Sequence, residues 1–191
     1  QSDEILRKKK KAEVINDLRT EMFLDAEKTL KEHISEHIFY LEEPTGGGKS
    51  NTALNLSFQI VKSEKNINKI FYIYPFNTLV DQNIENLGKI FENQEEIMKQ
   101  IAVINSLVPM KEDSGEEITK KRYQKILLDR QFLNYPVVLS THVTLFKTLF
   151  GYEKEDVFAF HQLCNSVIVL DEIQSYKNIL WSEIITFLKG Y

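Results

Sequence analysis

The sequence predicts an α/β fold of three layers, with a mostly parallel sheet between helices. Three observations predict it. Short apolar runs alternate along the chain with longer stretches whose apolar positions recur every three or four residues. Each run gives way to a polar or proline-containing segment and then to a helical pattern, rather than to a tight hairpin turn. The first run also leads into a glycine-rich turn that opens a helix, and ligands of such sheets bind beyond strand C-terminal ends. Parallel neighbours then require right-handed crossovers and a sheet covered on both faces. With 191 residues, 42% hydrophobic and 27% charged, the chain suffices for one domain with a sizeable core.

Residues 1–36 read as an N-terminal helical extension, and 37–191 as the main lobe. Within the extension Ile15, Leu18, Met22, Ala26 and Leu30 fall on one stripe, with Glu and Lys elsewhere. The basic run Arg7 to Lys11 is either a contact for a phosphate backbone or a solvated helix end. Ile38-Phe39-Tyr40-Leu41 reads as a buried strand, Glu43 to Ser50 as the glycine turn, and Asn51 to Val61 as a helix. Lys69 to Tyr74 is a second buried strand, stopped by Pro75. Asn77 is expected to cap a helix reaching about Phe91, with Leu79, Ile84, Leu87 and Phe91 inward.

Ile101 to Ile104 is a short third strand. The polar stretch from Pro109 to Glu117 reads as a loop, and a helix follows to Leu133. Pro136 to Ser140 is a fourth strand, with helices at His142 to Phe150 and Val157 to Leu163. Ser166 to Leu170 is a fifth strand that ends in Asp171-Glu172-Ile173-Gln174, and Asn178 to Tyr191 is an amphipathic helix.

The chemistry concentrates at strand ends. In Thr45-Gly46-Gly47-Gly48-Lys49-Ser50-Asn51 the glycines let a polyphosphate lie against backbone N–H groups, where a Cβ would hold it off. The helix N-terminus adds unpaired donors and partial positive charge. Lys49 can then reach the terminal phosphates of ATP and the Ser50 hydroxyl can ligate Mg²⁺. Glu43 stands where the strict loop pattern has its first glycine, and its carboxylate beside a phosphate site would repel ATP. Four apolar residues, Val167 to Leu170, precede Asp171 and Glu172. Two carboxylates at a buried strand end are costly unless a cation or donors offset them. Asp171 is expected to hold Mg²⁺ and Glu172 to orient and deprotonate an attacking water. Pro75, Thr78 and Gln82 after the second strand, and Ser140, Thr141 and His142 after the fourth, suit contact with a phosphodiester backbone. Each also has a plain reading as strand terminator, surface residue or helix cap.

Twenty-four basic against 28 acidic residues neither suggest nor exclude a nucleic-acid partner, since a groove can be locally basic. The single Cys164 excludes an internal disulfide. Without a long apolar run or a leader-like start, the expectation is no membrane and a cytoplasmic, reducing setting.

Together these residues resemble the first RecA-like domain of a superfamily 2 helicase. Thr45 to Ser50 is similar to motif I, Pro75 to Gln82 to motif Ia, and Asp171 to Gln174 to motif II of the DExx kind. More narrowly the chain resembles the CRISPR-associated helicase-nuclease of type I systems. That likeness lies in Glu42 to Gly46, Tyr74 to Leu79, Ser140-Thr141-His142 with Leu145-Phe146, Val169 to Ile173, and Asn16 to Arg19. The resemblance implies an ATP- and Mg²⁺-dependent motor on single-stranded DNA in antiviral defence. It also implies recruitment by an RNA-guided surveillance complex and an HD-type nuclease domain in cis or in trans. It makes Arg19 either an adenine contact or an ordinary surface residue, and places Gln174 where histidine or aspartate is usual. The second lobe with its arginine finger and the nuclease are expected outside these residues. Such fingers are worth about 10³–10⁵ in rate, so turnover by this lobe alone should be negligible.

Overall fold

In a computed structural model of the protein the described residues are 2–44, 46–104, 120–175, 186, 187 and 190, with the side chains of 2–12 and 120–125 outside the description. The expected loop at 109–117 and most of the expected helix at 178–191 lie outside the described residues, as do the side chains of Arg7 to Lys11. The chain divides into two compact units, 1–60 and 61–191.

The first unit holds helix α1 (Ser2–Glu32) and most of helix α2 (Lys49–Ser63). The two helices are tied by Glu27, whose Oε1 accepts from Asn55 Nδ2 at 2.6 Å and from Gln59 Nε2 at 3.4 Å. The apolar stripe of α1 is buried only towards its end. Leu30 is 4% exposed, whereas Ile15 and Leu18 are exposed.

The expected strand at Ile38 to Leu41 does not form. These residues are irregular, and Phe39 and Tyr40 are exposed. Four apolar residues make a strand only where a neighbour offers its ladder, and the sheet's pairings leave this run out.

The second unit is built on a four-stranded, all-parallel sheet. Its strands are β1 (Lys69–Tyr74), β2 (Ile101–Ile104), β3 (Val137–Thr141) and β4 (Ser166–Leu170), in the order β2-β3-β1-β4. Central β1 is aligned with Tyr74 opposite Thr141 of β3 and Ile73 opposite Leu170 of β4. The helices are α3 (Asn77–Ile90), the short α4 (Glu95–Met98), α5 (Lys120–Gln131), α6 (His142–Phe150) and α7 (Lys154–Leu163). Phe71 and Ile73 of β1 form one core with Val138 and with Leu145, Leu149, Ala159 and Leu163 from α6 and α7. Strands buried this completely read as continuous apolar runs, which is how they stood out in the sequence. Because all strands are parallel, their C-terminal ends share one edge of the sheet.

Asn77 does not cap α3. β1 ends at Tyr74 and the chain bends at Pro75 and Phe76, and Phe76 holds the N-cap position in extended conformation without a side-chain cap. Asn77 is the first helical residue, and its Oδ1 is buried without a hydrogen-bond partner. Among the described residues no helix is long and apolar enough to cross a membrane.

Candidate functional site

The glycine turn is a backbone structure. Gly47 N–H donates to the Pro44 carbonyl at 2.8 Å, and Thr45 lies outside the described residues. A Cβ on Gly47 would come within 2.9 Å of that carbonyl, closer than real contacts allow. Gly48 has φ of +105°, a conformation that side chains resist. The Gly48 carbonyl accepts from Asn51 N–H at 2.9 Å and Thr52 N–H at 3.0 Å, which starts α2. Lys49 and Ser50 are thus its first two residues, both half-buried, and no acidic residue stands in that first turn. The macrodipole favours an anion there.

Two side chains adjoin this loop, Glu43 as the sequence indicated and Arg19 in a contact that the sequence did not mark. Arg19 on α1 donates from Nε to the Gly46 carbonyl at 2.9 Å and from Nη1 to Asn16 Oδ1 at 3.3 Å. It therefore tethers the loop to the helix before it. Glu43 lies against the same turn, with its Oε2 3.2 Å from where a Gly47 Cβ would stand. Both Glu43 carboxylate oxygens are buried without a hydrogen-bond partner, a costly state for a carboxylate.

In the second unit the carboxylate turn follows β4. Asp171 N–H donates to the Ile73 carbonyl at 2.9 Å, which continues the ladder one residue beyond Leu170. Asp171 is 8% exposed. Its Oδ1 accepts from Glu172 N–H at 2.9 Å, and its Oδ2 accepts from the Tyr72 hydroxyl at 3.3 Å. Glu172 has φ of +49°, left-handed backbone for a side chain with no local reason to adopt it. Gln174, exposed in the 3₁₀ turn Ile173–Ser175, donates from Nε2 to Glu172 Oε2. Burial, and after it the charge of Asp171, push the Tyr74 phenol well above its ordinary range.

The remaining sequence-predicted residues sit at the same edge of the sheet. The Tyr74–Thr141 register brings the ends of β1 and β3 side by side. Thr78 and Gln82, four apart on α3, are exposed, while Thr141 is buried and His142 half-buried. Pro75 is buried, a strand terminator by position. Both α3 and α6 start without a side-chain cap, so their first N–H groups are left to other acceptors.

In the second unit the Asp171 and Glu172 carboxylates are hard oxygen donors of the type that suits Mg²⁺, and in the first unit the Ser50 hydroxyl is another. Among the described residues no three His, Cys, Asp or Glu converge to hold an ion. One or two carboxylates do suffice where phosphate and water supply the remaining ligands. A Mg²⁺ bound this way neutralises phosphate charge.

No individual curated protein matches the sequence. A family model described as DEAD/DEAH box helicase matches residues 24–189. Helicases of this kind use ATP with Mg²⁺. The match takes in the glycine loop, the parallel sheet with its helices, and the carboxylate turn, and the chain belongs to the DEAD/DEAH box helicase family.

Proposed function

We propose that this chain is the nucleotide-binding lobe of an ATP-dependent translocase on single-stranded DNA, acting in the cytoplasm in CRISPR interference against foreign DNA. The observation that carries the nucleotide part is the loop itself. It has a Gly47 that admits no Cβ, a Gly48 at positive φ, and Lys49 and Ser50 at the head of α2. In this reading Gly46 to Asn51, with Thr45, cradle the phosphates, Lys49 neutralises them, and Ser50 and Asp171 hold Mg²⁺. Glu172 activates water, and Gln174, through its hydrogen bond to Glu172, links the nucleotide to motion. Thr78, Gln82, Thr141 and His142, with Pro75 setting the turn, contact the DNA backbone. The narrower assignment is supported by the likeness around Tyr74 to Leu79, Ser140 to His142 and Val169 to Ile173.

Calorimetric titration with Mg-ATP tests the core of this reading. Binding by the wild type that disappears in Lys49→Ala is the expected result. A second reading, a docking module that holds no nucleotide, is favoured by one observation, the buried and unpartnered Glu43 carboxylate. Glu43→Ala separates the two. Removing one charge from the phosphate neighbourhood is worth about 1 kcal/mol under water-like screening, or about fivefold tighter ATP. Unchanged failure to bind in both forms would support the docking reading. Binding of single-stranded DNA, duplex DNA and RNA to this chain should rank single-stranded DNA first. A purified RNA-guided surveillance complex on its target DNA should retain the chain, and no retention would count against the interference role.

A further inference from the structure

We propose that Tyr72 is a positioning residue for Asp171, its hydroxyl fixing the orientation of the carboxylate that receives the divalent cation. The inference rests on the reading of Asp171 as a Mg²⁺ holder and adds a residue from a different strand to it. Tyr72 and Tyr74 are both 2% exposed, and their rings stack at 4.7 Å with an interplanar angle of 17°. A strand needs no phenol to fill space, and Phe71 and Ile73 of the same strand fill it without one. A buried hydroxyl must find an acceptor. The Tyr72 hydroxyl finds one 99 residues away, on Asp171 Oδ2 at 3.3 Å.

The surroundings make this contact directional. The Asp171 backbone is pinned to β1 through its N–H on the Ile73 carbonyl. Its Oδ1 receives the Glu172 N–H, so each carboxylate oxygen accepts a donor from a different direction. Rotation of the carboxylate would break one or both bonds. Each oxygen has a second lone-pair site, so a cation can bind without displacing either donor. Second ligands of this sort orient metal-binding carboxylates, and their loss costs about tenfold in metal affinity. The stack against Tyr74 holds the Tyr72 ring in the place the bond requires.

Tyr72→Phe keeps the ring and the stack and deletes only the hydroxyl. Mn²⁺ binding to the full chain in the presence of ATP, followed by electron paramagnetic resonance, should weaken about tenfold. ATP binding measured in EDTA should stay at the wild-type value, a split that simple loss of packing would not produce. Unchanged Mn²⁺ affinity, or equal losses with and without metal, would overturn the inference while leaving the nucleotide reading intact. A wild type that binds ATP but shows no added Mn²⁺ affinity would overturn the role of Asp171 and this inference with it. Should Tyr72→Phe not fold, 3-fluorotyrosine placed at position 72 of the otherwise wild-type chain decides the matter. Its ¹⁹F resonance should shift with Mg-ATP and not with ATP in EDTA, and an unmoved resonance would overturn the inference.

Discussion

Residues 43–52 and residues 170–175 both carry a chain segment into a helical turn, but they present different parts of the chain. The first presents backbone: a turn closed on the Pro44 carbonyl, glycines at 47 and 48, and the opening N–H groups of α2. The second presents side chains: Asp171 held by donors from β1 and from its own neighbour, and Glu172 engaged by Gln174. A phosphate is large, polyanionic and satisfied by several N–H groups, so a locally encoded loop suffices for it. A small hard cation needs an oxygen at a fixed place, so a carboxylate must be oriented from outside its own segment. In the proposed reading, contact with phosphate is therefore compact in sequence, and contact with a cation is spread across it.

The largest expected effect tests that division directly. Lys49→Ala should cost about 2–3 kcal/mol of ATP binding, on the order of a hundredfold, whether or not Mg²⁺ is present. Asp171→Asn should leave ATP binding in EDTA untouched and abolish the gain from Mg²⁺. Titration calorimetry of both variants under both conditions gives four affinities. Equal losses in all conditions for both variants would break the contrast between the two regions.

Gly47→Ala comes next and sharpens the backbone half. The added methyl would meet the Pro44 carbonyl at 2.9 Å, the Met22 methyl at 3.1 Å and Glu43 Oε2 at 3.2 Å. The Pro44 carbonyl belongs to the turn itself, so the loop must open, at a cost of roughly 1–3 kcal/mol. ATP affinity should fall while the sheet's urea unfolding midpoint stays within experimental error. A stability loss with ATP affinity retained would mean that the loop's shape does not serve the phosphate.

Alkali probes the surroundings of Asp171 through Tyr74. Burial first, and the Asp171 charge second, hold Tyr74 in its neutral form above the ordinary phenol value of 10.0. Above that pH the unfolded chain releases this proton and the folded chain keeps it. The folded state then binds more protons, so stability falls as pH rises through 10, by about 1.4 kcal/mol per unit. Lys69, held below its usual 10.5 by burial, works the other way over the last stretch below that value. Urea midpoints should fall between pH 10 and 11 in the wild type and fall less in Tyr74→Phe, where Tyr135, also raised by burial first, still contributes. Equal slopes in both would place the alkaline sensitivity elsewhere.

The same division governs what could be read from the sequence. The strands β1 to β4 were legible because each announces itself as an apolar run, the buried β1 and β3 and the half-buried β2 and β4 alike. Ile38 to Leu41 has the same composition and is not a strand, since a run of that length does not specify its own partner. The glycine loop could be read residue by residue, being local. Asp171 and Glu172 could be read as a pair, but their support could not. Tyr72 lies 99 residues from Asp171, and only the β1–β4 register brings the two together. Two tyrosines one residue apart in a buried strand were the available signal, as polar tips that require acceptors. Arg19 was legible as an adenine contact or a surface residue but not as a tether of the loop, because its acceptor is a backbone carbonyl 27 residues on and carries no sequence mark. The uncapped start of α3 at Phe76 was hidden because Asn77 is a good cap by composition, while the helix takes Asn77 as its first residue, one position after the cap.

The smallest effect concerns one backbone conformation used twice with opposite residues. Gly48 sits at φ +105° and Glu172 at φ +49°, both on the side of conformational space that glycine favours. Under the proposed function the loop would offer its backbone, so glycine would cost nothing there and removes the strain. The turn would offer a side chain, which would account for a glutamate in spite of the strain. Left-handed backbone costs a side chain about 1–2 kcal/mol, while glycine adds about 0.5–1 kcal/mol of unfolded-state entropy. Glu172→Gly should therefore stabilise the second unit by only about 0.5 kcal/mol. The same change should remove ATP turnover from the assembled motor and spare ATP binding by this chain. Thermal midpoints of Glu172→Gly and Glu172→Gln separate the two contributions, since Gln keeps the side chain and the strain while losing the charge. A rise in the glycine variant alone would mean that strain is stored at Glu172 for the sake of its carboxylate. No rise in either would mean that the Gln174 contact and the turn hydrogen bonds already offset it.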